Sequence, residues 1–570
     1  MAEEVWMLQT KKADFKQIGA RFRIDPVTAR IIRNRGIEGE AAIDRYLNGT
    51  LEDLYDPMLL KDMERAVSIL CEAVDTGKKI RIVGDYDIDG VCSTYILLQA
   101  FERLGSDVDF EIPDRIKDGY GINESIIEQA HADGVEVILT CDNGISAFHQ
   151  VELAKKYGMT VVITDHHEVP LDGEKEKIPP ADAVVDPKQA DCPYPFPEIC
   201  GAVVAYKLVQ VLYARRGVPQ MEWLDLLEFA AIATVGDVMK LQDENRILVK
   251  YGLKKMAQTK NLGLRRLAEK NNLDLGAITA YHIGFVIGPC LNAGGRLKTA
   301  KEALALLRAQ SEEEAERLAE ELKELNDTRK DMTEQGTEAA KLQVESWYQK
   351  DKVLVVFLPE CHESLAGIIA GRLREYYQKP AIVLTRGEEA VKGSGRSIDE
   401  YHMFKKLTEV SDLLLKFGGH PLAAGLSLEE KNIDEFRRRL NENAGLTEED
   451  FKAKVWIDVP MPVGYVTERL VRELSCLEPF GQGNEKPLFA EKSLRIRASR
   501  VLGRNRNVVK MTLEETDGHA IEALYFGDGT AFEEERAGRR EIDVVYYPDI
   551  NEYNGRKTLQ AVIRRYKFRG

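Results

Sequence analysis

The sequence predicts a multidomain α/β protein: a parallel-sheet unit, a long connecting helix, a smaller α/β unit, and a terminal all-β barrel or sandwich. Three observations carry this prediction. Between Lys79 and about Pro187, short β-branched runs (IRIVG, VEVILT, MTVVIT, ADAVV) alternate with helical stretches such as SIIEQAHADG, which is the pattern of parallel βαβ units. In SEEEAERLAEELKELNDTRKDMTEQ, Ala315, Leu318, Leu322 and Leu325 recur at helical spacing amid charges. From about Lys452 onward, short strands alternate with turns (SLRIRAS, NVVKMTLEE, IEALYFG, IDVVYYPDINEYNGRKTLQAVIRRYKF).

The 570 residues exceed one domain of about 100–200 residues several-fold, which gives roughly three or four units. In order, the boundaries fall as follows: residues 1–70 form a helix-rich lead-in, and residues 71–308 form the first α/β unit. Its second half, about Gly201–Leu307, is mostly helical and includes LLEFAAIATVGDVMKL and the glycine-punctuated IGFVIGPCLNAGGRL. Residues 309–350 make the connecting helix. A coiled-coil seam would need three or four sustained heptads, which this segment lacks. Residues 351–446 form the second α/β unit, with KVLVVF and AIVLT as strands, CHESLAGIIAGRLREYY as a helix and KGSGRSI as a glycine-rich turn. Residues 447–570 form the all-β unit.

Composition narrows the class. Hydrophobic content of 44% with 31% charged residues is that of a globular protein able to bury cores, and it excludes a disordered chain. The segment MAEEVWMLQTKK carries no apolar core behind a basic stretch, and no apolar run approaches the roughly 18 residues of a membrane span. The expectation is a cytoplasmic protein without membrane contact. Eight cysteines stand without any C-x-x-C pair, which argues against a disulfide framework and a zinc ribbon. A net charge of −16 opposes long-range attraction to nucleic acid, so any such binding needs local basic patches.

The sharpest motif is GDYDIDG, in which Asp85, Asp87 and Asp89 directly follow an apolar strand. Alone, three carboxylates this close describe a solvated turn or, if gathered, a cation site. The next strand runs into Asp142 and Asn143, and the strand after it into Asp165, His166 and His167. In an open parallel sheet the carboxyl ends of the strands form the ligand crevice, so three strands deliver these groups to one place. Asp237 ends a very apolar segment, as a helix cap, a buried ion-pair partner or a further ligand. Oxygen donors with one or two imidazoles suit Mn²⁺ or Mg²⁺ better than zinc, and a set of this size suits two ions about 3.5–4 Å apart. The chemistry such a pair supplies is in-line displacement at phosphorus, here hydrolysis of a phosphoester.

The ordered motifs D-Y-D-x-D-G, C-D-N-G, D-H-H and G-D resemble those of the DHH phosphoesterases. The resemblance implies that Asp87, Asp89, Asp142, His166 and Asp237 ligate the metals, with Asp85 supporting the first motif and His167 near the scissile phosphate. IPDRIKDGYGIN, ICGAVVAYKL, LNAGGRL, FGGHPLAAGLSL and LEPFGQGNEKPLF are similar to segments of the RecJ exonucleases within that superfamily, from about Arg81 to the C-terminus. This likeness implies a DHH domain, a long helix, a DHH-associated domain facing it across a cleft, and an OB-fold. It also implies a phosphate pocket of Arg115, Arg296, Ser394 and Arg396, whose guanidinium forks match phosphate oxygens. His420 is implied as a substrate contact, while His362 is left open between site and structure.

In the all-β unit, Arg504, Arg506, Tyr547 and Tyr553 are candidate nucleic-acid contacts, since OB-folds bind single strands by a basic groove and aromatic stacking. The basic end RRYKFR is either part of that groove or a solvated tail. The resemblance implies a 5′-to-3′ exonuclease on single-stranded DNA that releases mononucleotides during recombination and repair. It would act as a monomer beside a single-strand-binding protein and a RecQ-type helicase. Sister activities on short oligoribonucleotides or cyclic dinucleotides belong to shorter chains that lack the β unit. A non-catalytic replication scaffold is the remaining alternative, and every ligand position is filled here.

Overall fold

The computed structural model describes residues 4–569 except 116, 118 and 554, with Tyr553 described by its backbone alone. The chain divides into two compact units, Leu54–Met239 with Glu244–Ala453, and Glu4–Asp53 with Lys240–Asp243 and Lys454–Gly570.

The first unit is built on two sheets. In the first sheet, β1 (Ile80–Val83), β2 (Val108–Glu111), β3 (Val137–Cys141), β4 (Thr160–Thr164) and β5 (Ala183–Val185) lie in the order β2-β1-β3-β4-β5, and every neighbouring pair is parallel. The chain leaves β1 toward one edge and returns to β3 on its other side, so the strand order reverses between β1 and β3. A crevice opens outside the carboxyl ends of strands at such a reversal. Strands β1 and β3 are buried at every position, as expected of parallel strands covered on both faces.

Helix α1 (Ile88–Arg103) follows β1 and is apolar nearly all round. It is enclosed by α2 (Gly201–Arg216) and α3 (Leu227–Gly236) as well as by the sheet. Further on, α4 (Gly288–Leu297) packs beneath α5 (Glu312–Gln343), the long helix, whose N-cap Ser311 accepts from the Glu314 amide at 3.1 Å. Its predicted stripe is spent inside this unit: Ala315, Leu318 and Leu322 are buried and Leu325 half-buried.

The second sheet holds β6 (Leu354–Phe357), β7 (Ala381–Arg386), β8 (Val391–Arg396), β9 (Leu414–Gly419) and β10 (Ala423–Leu428), in the order β9-β10-β8-β7-β6. Only β6 and β7 are parallel; the other pairings are antiparallel. The segment KGSGRSI, expected as a turn, is instead the central strand β8. Its glycines are filled by neighbours rather than bending the chain: a Cβ on Gly393 would lie 2.5 Å from Leu384, and one on Gly395 3.1 Å from Met403. Helix α6 (Ala366–Tyr377) packs on this sheet.

The second unit contains β11 (Phe489–Leu502), β12 (Val508–Glu514), β13 (Ala520–Phe526), β14 (Glu541–Tyr553) and β15 (Arg556–Phe568). They run in the order β11-β12-β13-β15-β14, with a short strand Val459–Pro460 beside β11. Pairing of β14 back onto β11 closes the sheet, so the fold is a barrel and not a sandwich. Residues 4–53, read in sequence as part of a separate lead-in, group with this barrel. Ile31, Ile32, Ile43 and Tyr46 share its core with Phe489, Leu494 and Tyr546. The helix-rich character of this segment was read in the sequence, whereas the sequence-distant surface that buries Pro26–Asn34 was not. Among the described residues, no helix is long and apolar enough to cross a membrane.

Candidate metal centre and phosphate pocket

Each acidic motif reaches the crevice for a local reason. Asp87 is the N-cap of α1, and one of its oxygens accepts from the Asp89 and Gly90 amides at 2.9 and 3.1 Å. Asp89 lies fully buried on the first turn of that helix. Its two oxygens accept from Gly201 and Ala202 at 2.7 Å each, the free amides at the N-terminus of α2. Gly201 permits this approach, because a Cβ there would lie 2.7 Å from the Asp142 Cβ. Asp142 follows β3 in a left-handed conformation (φ 61°), a strained state for a non-glycine residue of the kind that clusters at functional sites. Asn143 locks that turn by donating to the carbonyls of Val83 (3.0 Å) and Cys141 (2.9 Å) and accepting from Ile122 N.

The groups converge on His166. Its Nε2 lies 3.0 Å from Asp142, 3.4 Å from Asp89 and 3.8 Å from Asp237. Donor atoms within 4.8 Å of one another form three overlapping sets here: Asp85, Asp87 and Asp142; Asp89, His166 and Asp237; and Asp142, His166 and His167. Asp142 belongs to two of them. Burial, reinforced by repulsion among the neighbouring carboxylates, pushes the Asp85, Asp142 and Asp237 carboxyls well above the usual carboxylate range. Asp237 also caps the C-terminal end of α3, where the helix dipole disfavours a negative charge. Asp85 Oδ2 and His166 Nδ1 are buried without hydrogen-bond partners.

All these features fit divalent cations. Crowded hard oxygens around one imidazole suit Mn²⁺ or Mg²⁺, and the positive charge removes the repulsion that now raises the carboxyls. Asp85, Asp87, Asp89, Asp142, His166 and Asp237 are the residues that would hold them. Asp85, read from sequence as a supporting residue, stands among the candidate ligands.

His167 differs from its neighbour. Its side chain is 43% exposed, and Nδ1 lies 2.8 Å from buried Asp165. Burial works against the His167 cation, but the hydrogen bond and charge of Asp165 outweigh it and push the pKa up to about 9. Asp165 is itself fixed by the Ile145 and His166 amides at 2.9 and 2.8 Å. Tyr120 was missed in the sequence. Its hydroxyl donates to the Asp142 carbonyl at 2.7 Å and lies 3.0 Å from His167 Nδ1. Its signal was a tyrosine between Gly119 and Gly121, both at positive φ.

Beside this centre lies a cavity of about 540 Å³, lined by Tyr86, Arg115, Arg296, Ser394 and Arg396, with Lys392 and Glu363. The four predicted phosphate-pocket residues therefore meet. The Arg115 guanidinium stacks 4.6 Å from the Tyr86 ring. Arg296 donates to the Ser364 carbonyl at 2.9 Å; Arg396 donates to the Gly395 carbonyl at 2.8 Å and to Ser394 Oγ at 3.2 Å. Burial first, then the Arg115 and Arg329 charges, pulls Arg296 down to about 10. Arg396 is lowered by burial and by Arg374 and Arg115. Cations that repel one another in a concave site create an anion-binding field.

The other candidates fall elsewhere. His420 is exposed and outside this cavity, within electrostatic reach of Glu168, the residue that follows the His pair. His362 bonds Ser364 Oγ through Nδ1 at 2.8 Å, a local structural contact. In the barrel, Tyr547 is buried beneath Lys486, whose Nζ lies 3.7 Å from the ring, so it is not presented for stacking as the sequence suggested. Alternation along the strand did not reveal which tyrosine of the pair Tyr546–Tyr547 points inward, and both do. The Tyr553 side chain lies outside the described residues. Arg504 is exposed in the β11–β12 turn, and Arg506 is tethered to Thr530 at 3.0 Å. The basic end is not a free tail: residues to Phe568 form β15, and Arg569 pairs with Asp543 at 2.6 Å.

Fold and site together define a phosphoesterase of the DHH type. The DHH family N-terminal domain matches residues 79–234, the DHHA1 domain residues 350–445, and the RecJ OB domain residues 457–565. The chain belongs to the RecJ family. It is 36% identical to the single-stranded-DNA-specific exonuclease RecJ of Bacillus subtilis, over 98% of this chain and 70% of that protein. With the Escherichia coli protein of the same name it shares 34% identity over 95% of each chain. The crystal structure of Thermus thermophilus RecJ in complex with Mn²⁺ superposes with a TM-score of 0.84 at 28% identity, covering 99% of this chain and 80% of that one.

Proposed function

We propose that this protein is a metal-dependent exonuclease that hydrolyses single-stranded DNA from its 5′ end to 5′-mononucleotides. The observation that carries the reading is the convergence of Asp89, Asp142 and Asp237 on His166 beside a cavity of arginines free of carboxylate partners among the described residues. Bound Mn²⁺ or Mg²⁺ would supply the Lewis acidity, and the lowered water pKa, that phosphodiester hydrolysis requires.

The chain's own residues do the rest. Arg115, Arg296 and Arg396 hold the terminal phosphate, which fixes the distance from the strand's end to the reacting bond and so sets release of one nucleotide at a time. His167, kept protonated by Asp165, places a positive charge and an N–H beside the scissile group. Tyr120 orients that imidazole. Arg504 and the barrel offer further single-strand contacts. The enzyme acts as a cytoplasmic monomer in recombination and repair, beside a single-strand-binding protein and a RecQ-type helicase.

The test is nucleotide release from 5′-labelled single-stranded DNA with Mn²⁺ or Mg²⁺, comparing the intact protein, Asp142→Ala and a duplex control. Labelled mononucleotide released from single strands only, and lost in the variant by more than the roughly 10–100-fold typical of an outer-shell change, is the expected result. Release from the 3′ end, or hydrolysis confined to short RNA or cyclic dinucleotides, would overturn it.

A further inference from the structure

We infer that the arginine cavity accepts a strand whose 5′ end carries a triphosphate, and that the first product from such a strand is a nucleoside triphosphate. The inference rests on the proposed exonuclease reading and extends it from one terminal phosphate to a polyphosphate.

Size is the first argument. About 540 Å³ belongs to sites that enclose whole small-molecule ligands, roughly 300–1,000 Å³, whereas a single phosphate needs only a nest of a few donors. Charge is the second. Arg115, Arg296, Arg396 and Lys392 line the cavity against one carboxylate, Glu363, a net of three positive charges. A terminal monophosphate brings only about −1.5 to −2. Glu363 lies 3.9 Å from Lys392, too far to neutralise it well, and among the described residues no ion pair engages Arg115, Arg296 or Arg396. Arg296 and Arg396 are half-buried, line the cavity and donate to carbonyls and a hydroxyl, with no carboxylate counter-ion among the described residues.

Placement is the third argument. Arg296 lies within electrostatic reach of Asp87, and Arg115 stacks on Tyr86, the residue before Asp87. Lys392 and Gly393 lie farther along β8, beyond Ser394 and Arg396. The positive lining thus runs on along β8 past Ser394, so a phosphate chain longer than one unit meets a further cation in the same cavity. Gly367 keeps the cavity open beside Ser394 and Arg396: a Cβ on it would lie 2.9 Å from both the Arg396 guanidinium and Ser394 Oγ.

The reaction itself is unchanged. Water adds to the phosphorus between the first and second nucleotides, the bond from that phosphorus to the first nucleotide's O3′ breaks, and O3′ takes the proton. The first nucleotide leaves with its triphosphate intact, and the remaining strand begins with a monophosphate. Strands begun de novo from a nucleoside triphosphate are the chemical class that presents such an end.

Single strands differing only in a 5′-hydroxyl, 5′-monophosphate or 5′-triphosphate, labelled in the first nucleotide, test the inference with Mn²⁺ present. The triphosphate strand should be degraded within about tenfold of the monophosphate strand, with nucleoside triphosphate as the first labelled product. Lys392→Ala should lower kcat/KM for the triphosphate strand about tenfold more than for the monophosphate strand. In metal-free protein, inorganic triphosphate should bind more tightly than inorganic phosphate. Rapid degradation of the monophosphate strand with the triphosphate strand inert, or with inorganic phosphates released first, overturns this inference and leaves the exonuclease standing. Failure of all three strands removes the exonuclease reading and this one with it.

Discussion

At the scale of single residues, the molecule separates carboxyls that need a cation from carboxyls that need only a proton. Asp85, Asp142 and Asp237 are raised by burial and by one another, and a divalent ion relieves all three. Glu228, on α3, is different. It is 3% exposed, accepts one hydrogen bond from Thr259 at 2.7 Å, and has its other oxygen buried without a partner. Burial pushes its pKa up to about 7 from an ordinary 4.5. Because the folded pKa exceeds the unfolded one, its contribution is fully present below about pH 4.5 and is lost as pH rises through about 7. The loss amounts to at most about 3 kcal/mol. Glu228→Gln should therefore flatten the decline in melting temperature expected of the parent protein between pH 5 and pH 8; parallel declines would show that the carboxyl does not titrate there. Asp165 acts through His167 instead: Asp165→Asn should cost about 10–100-fold in kcat while moving the alkaline limb of the pH–rate profile to lower pH. An unmoved limb would refute the pairing as the source of His167's raised pKa.

At the scale of elements, two helix N-termini do the positioning. Asp87 caps α1, and the first amides of α2 hold Asp89, so these two candidate ligands are fixed by the same hydrogen bonds that begin the helices. Gly201→Ala should push α2 away from Asp142, destabilise the fold by about 1–3 kcal/mol and weaken Mn²⁺ binding about 10–100-fold. Calorimetric Mn²⁺ titration and thermal melts check both, and unaltered Mn²⁺ affinity would mean that α2 does not hold the site. How much was readable in advance follows from the same physics. Strands β1, β3 and β4 announce themselves by β-branched runs, and their trailing Asp and His residues had to meet once the sheet was parallel. The reversal of strand order between β1 and β3 depends on tertiary pairing, so it was visible only in the fold. β8 looked like a turn, because a glycine's meaning lies in the neighbour that fills the space beside it, as Asp142 does beside Gly201. Tyr547 was misread for a related reason: burial of a strand's face is decided by what covers it, here a barrel closed by β14 on β11.

At the scale of the whole molecule, the net charge of −16 has to be reconciled with a polyanionic substrate. The structure concentrates positive charge where geometry matters and leaves the rest of the surface acidic. Arg115, Arg296, Arg396 and Lys392 are gathered in one cavity, while many surface lysines and arginines are tied into pairs such as Arg438 with Glu435 and Glu442. Affinity for single strands should then come from a small number of phosphate contacts and not from a broad basic surface. Each neutralised phosphate on a single strand contributes about −0.7 to the slope of log K against log salt, so the cavity's four cations, at most one phosphate each, predict a slope no steeper than about −3. Fluorescence anisotropy of a labelled single strand on metal-free protein, titrated across potassium chloride concentrations, measures it directly. A slope steeper than about −6 would require more cations than the cavity holds and would assign much of the binding to the barrel. A slope near −3 that shrinks by about 0.7 in Arg396→Ala would place the electrostatic work in the cavity and would explain how so acidic a chain engages DNA.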